Sequence, residues 1–95
     1  MKVVVVYTMK GCPFCGMIKE ELDKESIPYV ERDIYEYEEE YDEFSKVTEN
    51  DFVPALMLLT LDENDGANDV KLLAPDRDFQ DIHEAVSLAK EYILD

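Results

Sequence analysis

Val3-Val4-Val5-Val6-Tyr7 is an unbroken apolar run, mostly β-branched, and it limits the fold more than any other stretch of the chain. A strand with one wet face alternates apolar and polar side chains. A strand without that alternation is covered on both faces. Layers of helix on each side of a sheet are then needed, which makes the chain α/β.

The rest of the chain supplies those layers. Gly11 breaks the run, and Pro13 suits the first position of a helix, where its missing N–H is no loss. Cys15, Ile18 and Leu22 follow at helical spacing, so one face of a helix from about Pro13 to Glu25 is apolar. Ile27-Pro28 stops it. Tyr29 to Ile34 reads as a second strand, with Val30 and Ile34 available to the core. Tyr35 to Phe44 is rich in Glu, yet Tyr37, Tyr41 and Phe44 keep helical spacing, continued by Val47 or Thr48. The segment is read as an amphipathic helix with an acidic outer face.

Ala55 to Leu61 is the third strand, Asp62 to Asp69 a polar turn around Gly66, and Val70 to Leu73 the fourth strand. Pro75 and Asp76, the latter as N-cap, lead into a last helix whose apolar stripe is Phe79, Ile82, Val86, Ala89 and Ile93. Lys90 sits where the helix dipole favours a cation, and His83 neighbours the stripe as a surface or partly buried residue. The order is β-α-β-α-β-β-α. The first two strands, joined by a helix, should be parallel, and the last two an antiparallel hairpin. The expectation is one domain over residues 1–95, a four-stranded mixed sheet with three helices.

Composition narrows the function. With 24 acidic against 9 basic residues the net charge is -15, which argues against nucleic acid or an anionic membrane as partner. The charge serves solubility, or attraction to a basic protein surface; the acidic face from Glu36 to Glu43 is a solvated face or a docking site. No stretch approaches the roughly 18 apolar residues that span a bilayer. Val3 to Val6 is shorter than the roughly 7–15 residues of a signal-peptide core. The chain is read as cytoplasmic.

The 2 cysteines, Cys12 and Cys15, enclose only Pro13 and Phe14, so a bond between them staples no distant segments. A structural zinc site wants four ligands, and beyond this pair the obvious candidate is the lone His83. Redox chemistry suits the pair better. A helix N-terminus carries unpaired N–H groups and partial positive charge, which stabilise a thiolate there. Residues i and i+3 of a first helical turn also lie within the roughly 4.4–6.8 Å Cα separation that a disulfide accepts. Cys12 is therefore the exposed attacking sulfur, and Cys15, one turn in, the shielded resolving one.

With Cys12-Pro13-Phe14-Cys15 after the first strand and Val53-Pro54 before the third, the chain resembles a glutaredoxin of the thioredoxin fold over essentially its whole length. The resemblance implies a glutathione-dependent thiol–disulfide oxidoreductase acting on protein disulfides and glutathione-mixed disulfides. It implies glutathione as co-substrate, no tightly bound cofactor and no metal. Partners would be disulfide-containing client proteins, of which ribonucleotide reductase is a usual one, met by a monomer. Two alternatives stay open: a glutaredoxin-like relay fed by thioredoxin reductase, and an iron–sulfur binding module, although Pro13 after Cys12 resembles the redox-active group.

The resemblance also implies a cis Val53–Pro54 bond facing the cysteines, with the Val53 backbone pairing the substrate as an added strand; read without it, Pro54 is an edge-strand proline in trans. Glutathione contacts would come from Lys10, Phe14, Val53, Pro54, Arg77 and Asp78, the last meeting the γ-glutamyl ammonium. Three departures stand out. Met9 occupies the position where many relatives place Lys or Arg, Phe52 replaces a usual Thr, and Ala74-Pro75 lies where a Gly-Gly pair is common.

Overall fold

A computed structural model describes residues 1–64 and 66–94; Asp65, within the expected Asp62–Asp69 turn, and Asp95 lie outside the described residues. Four strands, β1 (Lys2–Thr8), β2 (Val30–Asp33), β3 (Ala55–Leu61) and β4 (Ala67–Leu73), form one sheet in the order β2-β1-β3-β4. Helices α1 (Pro13–Lys24), α2 (Glu38–Thr48) and α3 (Ile82–Leu94) complete the order β-α-β-α-β-β-α. β1 pairs parallel with β2, the connection running through α1, and antiparallel with β3, which pairs antiparallel with β4. The expected mixed sheet is the observed one.

The continuous apolar run now has a geometric explanation. Successive strand side chains point to opposite faces. Val4 and Val6 enter a layer with Ile18 and Leu22 of α1 and Ala85 and Val86 of α3. Val5 and Tyr7 enter the other layer, with Tyr41 and Phe44 of α2. All four β1 residues are buried. β1 is thus a central strand between two helical layers, and its C-terminal end delivers the chain to Cys12.

α1 stops by a left-handed cap. Ser26 has φ 57°, its N–H donates to Asp23 O at 3.1 Å, and the Ile27 N–H donates to Leu22 O at 2.9 Å. This pair of bonds closes the last turn and returns Ile27 to the core.

Several boundaries differ from the expected ones, each because a carboxylate or an edge intervenes. α2 starts at Glu38 and leaves Tyr35 and Tyr37 exposed, since Asp33 captures the preceding backbone: its Oδ1 accepts from Tyr35 N at 2.8 Å and its carbonyl from Glu36 N and Tyr37 N. On α2 the inner position falls to Thr48, whose hydroxyl donates to Phe44 O at 2.8 Å, while Val47 is exposed. Val30 is exposed rather than in the core; β2 is an edge strand, and Tyr29 packs against the core instead.

β4 begins at Ala67 rather than Val70. Asp62 Oδ1 accepts from Asn64 N and Gly66 N, which tightens the turn enough for pairing to reach Leu61↔Ala67. The last helix begins at Ile82, not beside Asp76. Asp76 has φ 63° and sits in a turn; Asp81 is the cap, its Oδ1 accepting from Glu84 N at 2.8 Å. Phe79 reaches the core from that turn rather than from the helix.

Candidate active site

The segment between β1 and α1 is short and tightly tied. Gly11 takes φ 79°, a left-handed conformation that glycine adopts without a Cβ penalty. The Cys12 N–H donates to Met9 O at 3.3 Å, and Cys12 then caps α1 with φ -91° and ψ 107°. Its Sγ accepts from the Cys15 N–H at 3.2 Å. One of the orphan donors of the helix N-terminus is therefore aimed at sulfur. Cys12 is partly exposed, whereas Cys15 is 2% exposed among the buried residues of α1. The two sulfurs are joined, with Cα atoms 5.3 Å apart. One sulfur of the pair faces outward and the other is shielded by a helical turn.

A carboxylate bridge holds α1 against the sheet behind this site. Glu31 of β2 accepts from the buried Thr8 hydroxyl at 2.8 Å and from Lys19 Nζ of α1 at 3.0 Å. The Lys19 hydrogen bond first, and then that of Thr8, hold the Glu31 carboxyl below the usual carboxylate range. The bridge ties the end of β1 to the helix that carries both cysteines.

The Val53–Pro54 bond is cis. Val53 O lies 4.0 Å from Cys12 Sγ, so the backbone before β3 forms the side of the site nearest the outer sulfur. Beyond it opens a groove of about 460 Å³. Phe14, Met17, Glu20 and Glu21 of α1 line one side. Phe52, Val53 and Pro54 join from the β3 approach. Pro75 and Asp76 of the turn, with Phe79 to His83 leading into α3, complete it. Phe14 is 58% exposed, Met17 48% and Phe52 60%, an apolar surface beside a partly exposed sulfur.

Of the residues expected at the site, Cys12, Cys15, Phe14, Val53 and Pro54 converge at this end of the sheet. Lys10, Arg77 and Asp78 do not line the groove. Lys10 is exposed in the turn before Cys12. Asp78 Oδ2 accepts from the Ala74 N–H at 2.8 Å and forms an ion pair with Arg77 Nε at 3.4 Å, so its carboxylate holds the turn before α3.

Sequence reasoning passed over Met17, Glu20, Glu21 and Asp81. Met17 and Glu21 carried a legible signal: with Phe14 they recur at i, i+3 and i+7, a second helical face beside the core stripe. Asp81 had none, because its placement depends on how the chain folds back after β4. His83 is exposed at the groove rim, with Nδ1 3.7 Å from Glu21 Oε2.

Among the described residues no group of three or more His, Cys, Asp or Glu is placed to hold a metal ion. No described helix is long and apolar enough to cross a membrane.

A redox-capable pair of cysteines at a helix cap, carried on this mixed sheet, defines a thiol oxidoreductase of thioredoxin-like fold. The chain belongs to the glutaredoxin family, whose model matches residues 4–58, from β1 through most of β3. Among solved structures it is similar to the thioredoxin-like protein BC3987, with a TM-score of 0.57 and 16% identity over 94% of this chain and 97% of that one. A mutant of that protein gives a TM-score of 0.57 and 14% identity over 95% and 97%. At such identities the likeness concerns the fold alone. No curated protein matches the chain.

Proposed function

We propose that this chain reduces protein disulfides and glutathione-mixed disulfides through Cys12 and Cys15, with glutathione restoring the dithiol. The asymmetry of the two sulfurs supports this reading: Cys12 is reachable and receives an N–H from the first helical turn, while Cys15 is buried behind it. In the reduced protein that N–H and the partial positive charge of the helix end favour a Cys12 thiolate.

The thiolate attacks one sulfur of the substrate disulfide. The substrate S–S bond breaks, a Cys12–substrate disulfide forms, and the second substrate sulfur leaves as a thiolate that takes a proton. Cys15, deprotonated, then attacks Cys12 Sγ. The Cys12–Cys15 disulfide forms and the substrate departs as its second thiol, having gained two electrons. Two glutathione thiols return those electrons, ending as glutathione disulfide. The Val53 backbone is the assigned partner of the substrate main chain, a role supported by the 4.0 Å between its carbonyl oxygen and Cys12 Sγ. Lys10 and Arg77 are the cations assigned to the glutathione carboxylates and Asp78 the partner of its ammonium, in a monomeric cytoplasmic protein serving disulfide-containing clients.

Substitution at each sulfur tests the assignment. Cys12→Ser should abolish every disulfide exchange. Cys15→Ser should lose reduction of protein disulfides but keep that of glutathione-mixed disulfides, which needs one thiol and free glutathione. Mass-resolved alkylation should label Cys12 first; faster labelling of Cys15 reverses the roles.

One observation favours a second reading of the electron source. Glu20, Glu21, Asp76 and Asp81 line the groove and no Lys or Arg does, among the described residues, which opposes a tripeptide of net negative charge. A protein reductase of the thioredoxin-reductase kind would escape that repulsion. Turnover with glutathione and glutathione reductase, compared with turnover on thioredoxin reductase, decides between the two.

A further inference from the structure

The groove combines two properties that glutathione does not match. Phe14, Met17, Phe52 and Phe79 give it an apolar lining, and the first three keep large exposed surfaces. Carboxylates stand on both sides: Glu20 and Glu21 from α1, Asp76 and Asp81 from the approach to α3. Among the described lining residues the side chain able to carry positive charge is His83, and its Nδ1 already faces Glu21. Glu21 also accepts from Lys24 at 3.4 Å, and Asp81 is committed to capping α3. Glu20 and Asp76, both exposed and one on each side, are the carboxylates left to meet an incoming cation. Charged rims set partner choice and encounter rate, while the apolar centre supplies contact.

We infer that the groove selects, among disulfide substrates, an extended segment of a client protein with an apolar residue next to its reactive cysteine and a Lys or Arg within a few residues of it. This rests on the dithiol reading above and names the substrate class of that same site. The apolar side chain seats among Phe14, Met17, Phe52 and Phe79, and the cation faces Glu20 or Asp76. The client cysteine then meets Cys12 Sγ beside the Val53 backbone. The chemistry is the exchange already written: client S–S breaks, Cys12–client S–S forms, and Cys15 displaces the client thiol, two electrons passing from the dithiol to the client.

Single-turnover oxidation of the reduced full chain by synthetic disulfide peptides tests this. Three peptides of equal length keep one Leu beside the cysteine and differ in flanking Lys, Ser or Glu. A fourth keeps the Lys and replaces the Leu by Ser. The expected order is Lys over Ser over Glu, spanning about tenfold at low salt and narrowing as salt rises. The fourth peptide should be several-fold slower than its Leu counterpart. Glu20→Gln with Asp76→Asn should flatten the Lys-to-Glu ratio towards one. Asn tolerates the left-handed backbone of position 76, so the fold should survive. Equal rates for the charged series, a preference for Glu, or an unchanged ratio in the double variant overturns the inference. The wild-type protein is also given hydroxyethyl disulfide, which is small and uncharged. Failure there overturns the dithiol reading itself, whereas activity there with equal peptide rates overturns only the selectivity.

Discussion

Replacing Tyr7 by Phe should produce a stability loss that disappears at high pH. Tyr7 is 0% exposed, its ring centroid lies 5.7 Å from that of Tyr41 and 5.2 Å from that of Phe44, and its hydroxyl donates to Glu40 Oε1 at 2.9 Å. Phe keeps the ring and loses the donor. A hydrogen bond to a charged acceptor contributes about 1.5–3 kcal/mol. Arg32 still pairs with Glu40 in the variant, so the cost at pH 7 should fall near the lower end, about 1.5 kcal/mol.

The same environment sets the pH dependence. Burial first, then the hydrogen bond to Glu40 and its negative charge, push the Tyr7 phenol far above its ordinary range, with Arg32 opposing. The unfolded phenol ionises near pH 10. Above that pH the folded state holds a proton that the unfolded state has lost, so stability falls as pH rises. The contribution of Tyr7 is intact below pH 10 and declines by about 1.4 kcal/mol per pH unit above it. At pH 11 the loss attributable to Tyr7 is about 1.4 kcal/mol, close to the whole advantage of the hydroxyl. The wild-type and Tyr7→Phe curves should therefore run apart from pH 7 to 9 and meet near pH 11. Tyr29, Tyr41 and Tyr92 are also raised, chiefly by burial, but they are present in both proteins and cancel in the difference. Urea unfolding followed by circular dichroism at pH 7, 9, 10 and 11 measures the gap. A gap that stays constant to pH 11 refutes the argument.

Leu22→Ala, at a fully buried position between α1 and the sheet, should cost about 2.5–5 kcal/mol in urea unfolding, and a loss under 1 kcal/mol would contradict the packing described. Asp81→Ala removes the cap of α3 and should cost about 1 kcal/mol, most of it restored by Asp81→Ser; equal losses in both would mean that the cap is not the cause. Lys10→Ala with Arg77→Ala should raise the glutathione requirement more than either alone, each by several-fold at most, since an exposed ion pair contributes about 0.2–1 kcal/mol. Met9→Lys should lower it. A coupled glutathione-reductase assay reads both, and no change in either places the tripeptide elsewhere.

The turn before α3 shows where sequence legibility stopped. Asp76 looked like an N-cap because it follows Pro75 and precedes an apolar stripe. Capping, however, depends on which carboxylate meets the free N–H groups, and the turn closed by Asp78 and Ala74 moved the helix start to Ile82. Asp33 shortened α2 in the same way. Both cases set local side-chain bonds against helical periodicity, and a count of apolar spacing does not see the competitor.

By itself the sequence determined the sheet and the arrangement of the two sulfurs. An apolar run without alternation obliges β1 to lie between two layers, and two cysteines one turn apart at a helix start oblige an inner and an outer sulfur; both follow from backbone geometry within a few residues. The groove belonged to the tertiary structure. Phe14 and Met17 on α1, Phe52 before β3 and Asp76 and Phe79 before α3 are far apart in the chain and become neighbours only because α1 and α3 pack on one face of the sheet. Which carboxylates look into the groove, and which are spent on capping a helix or holding a turn, was likewise decided there. Side-chain direction at a turn depends on contacts that no local pattern contains.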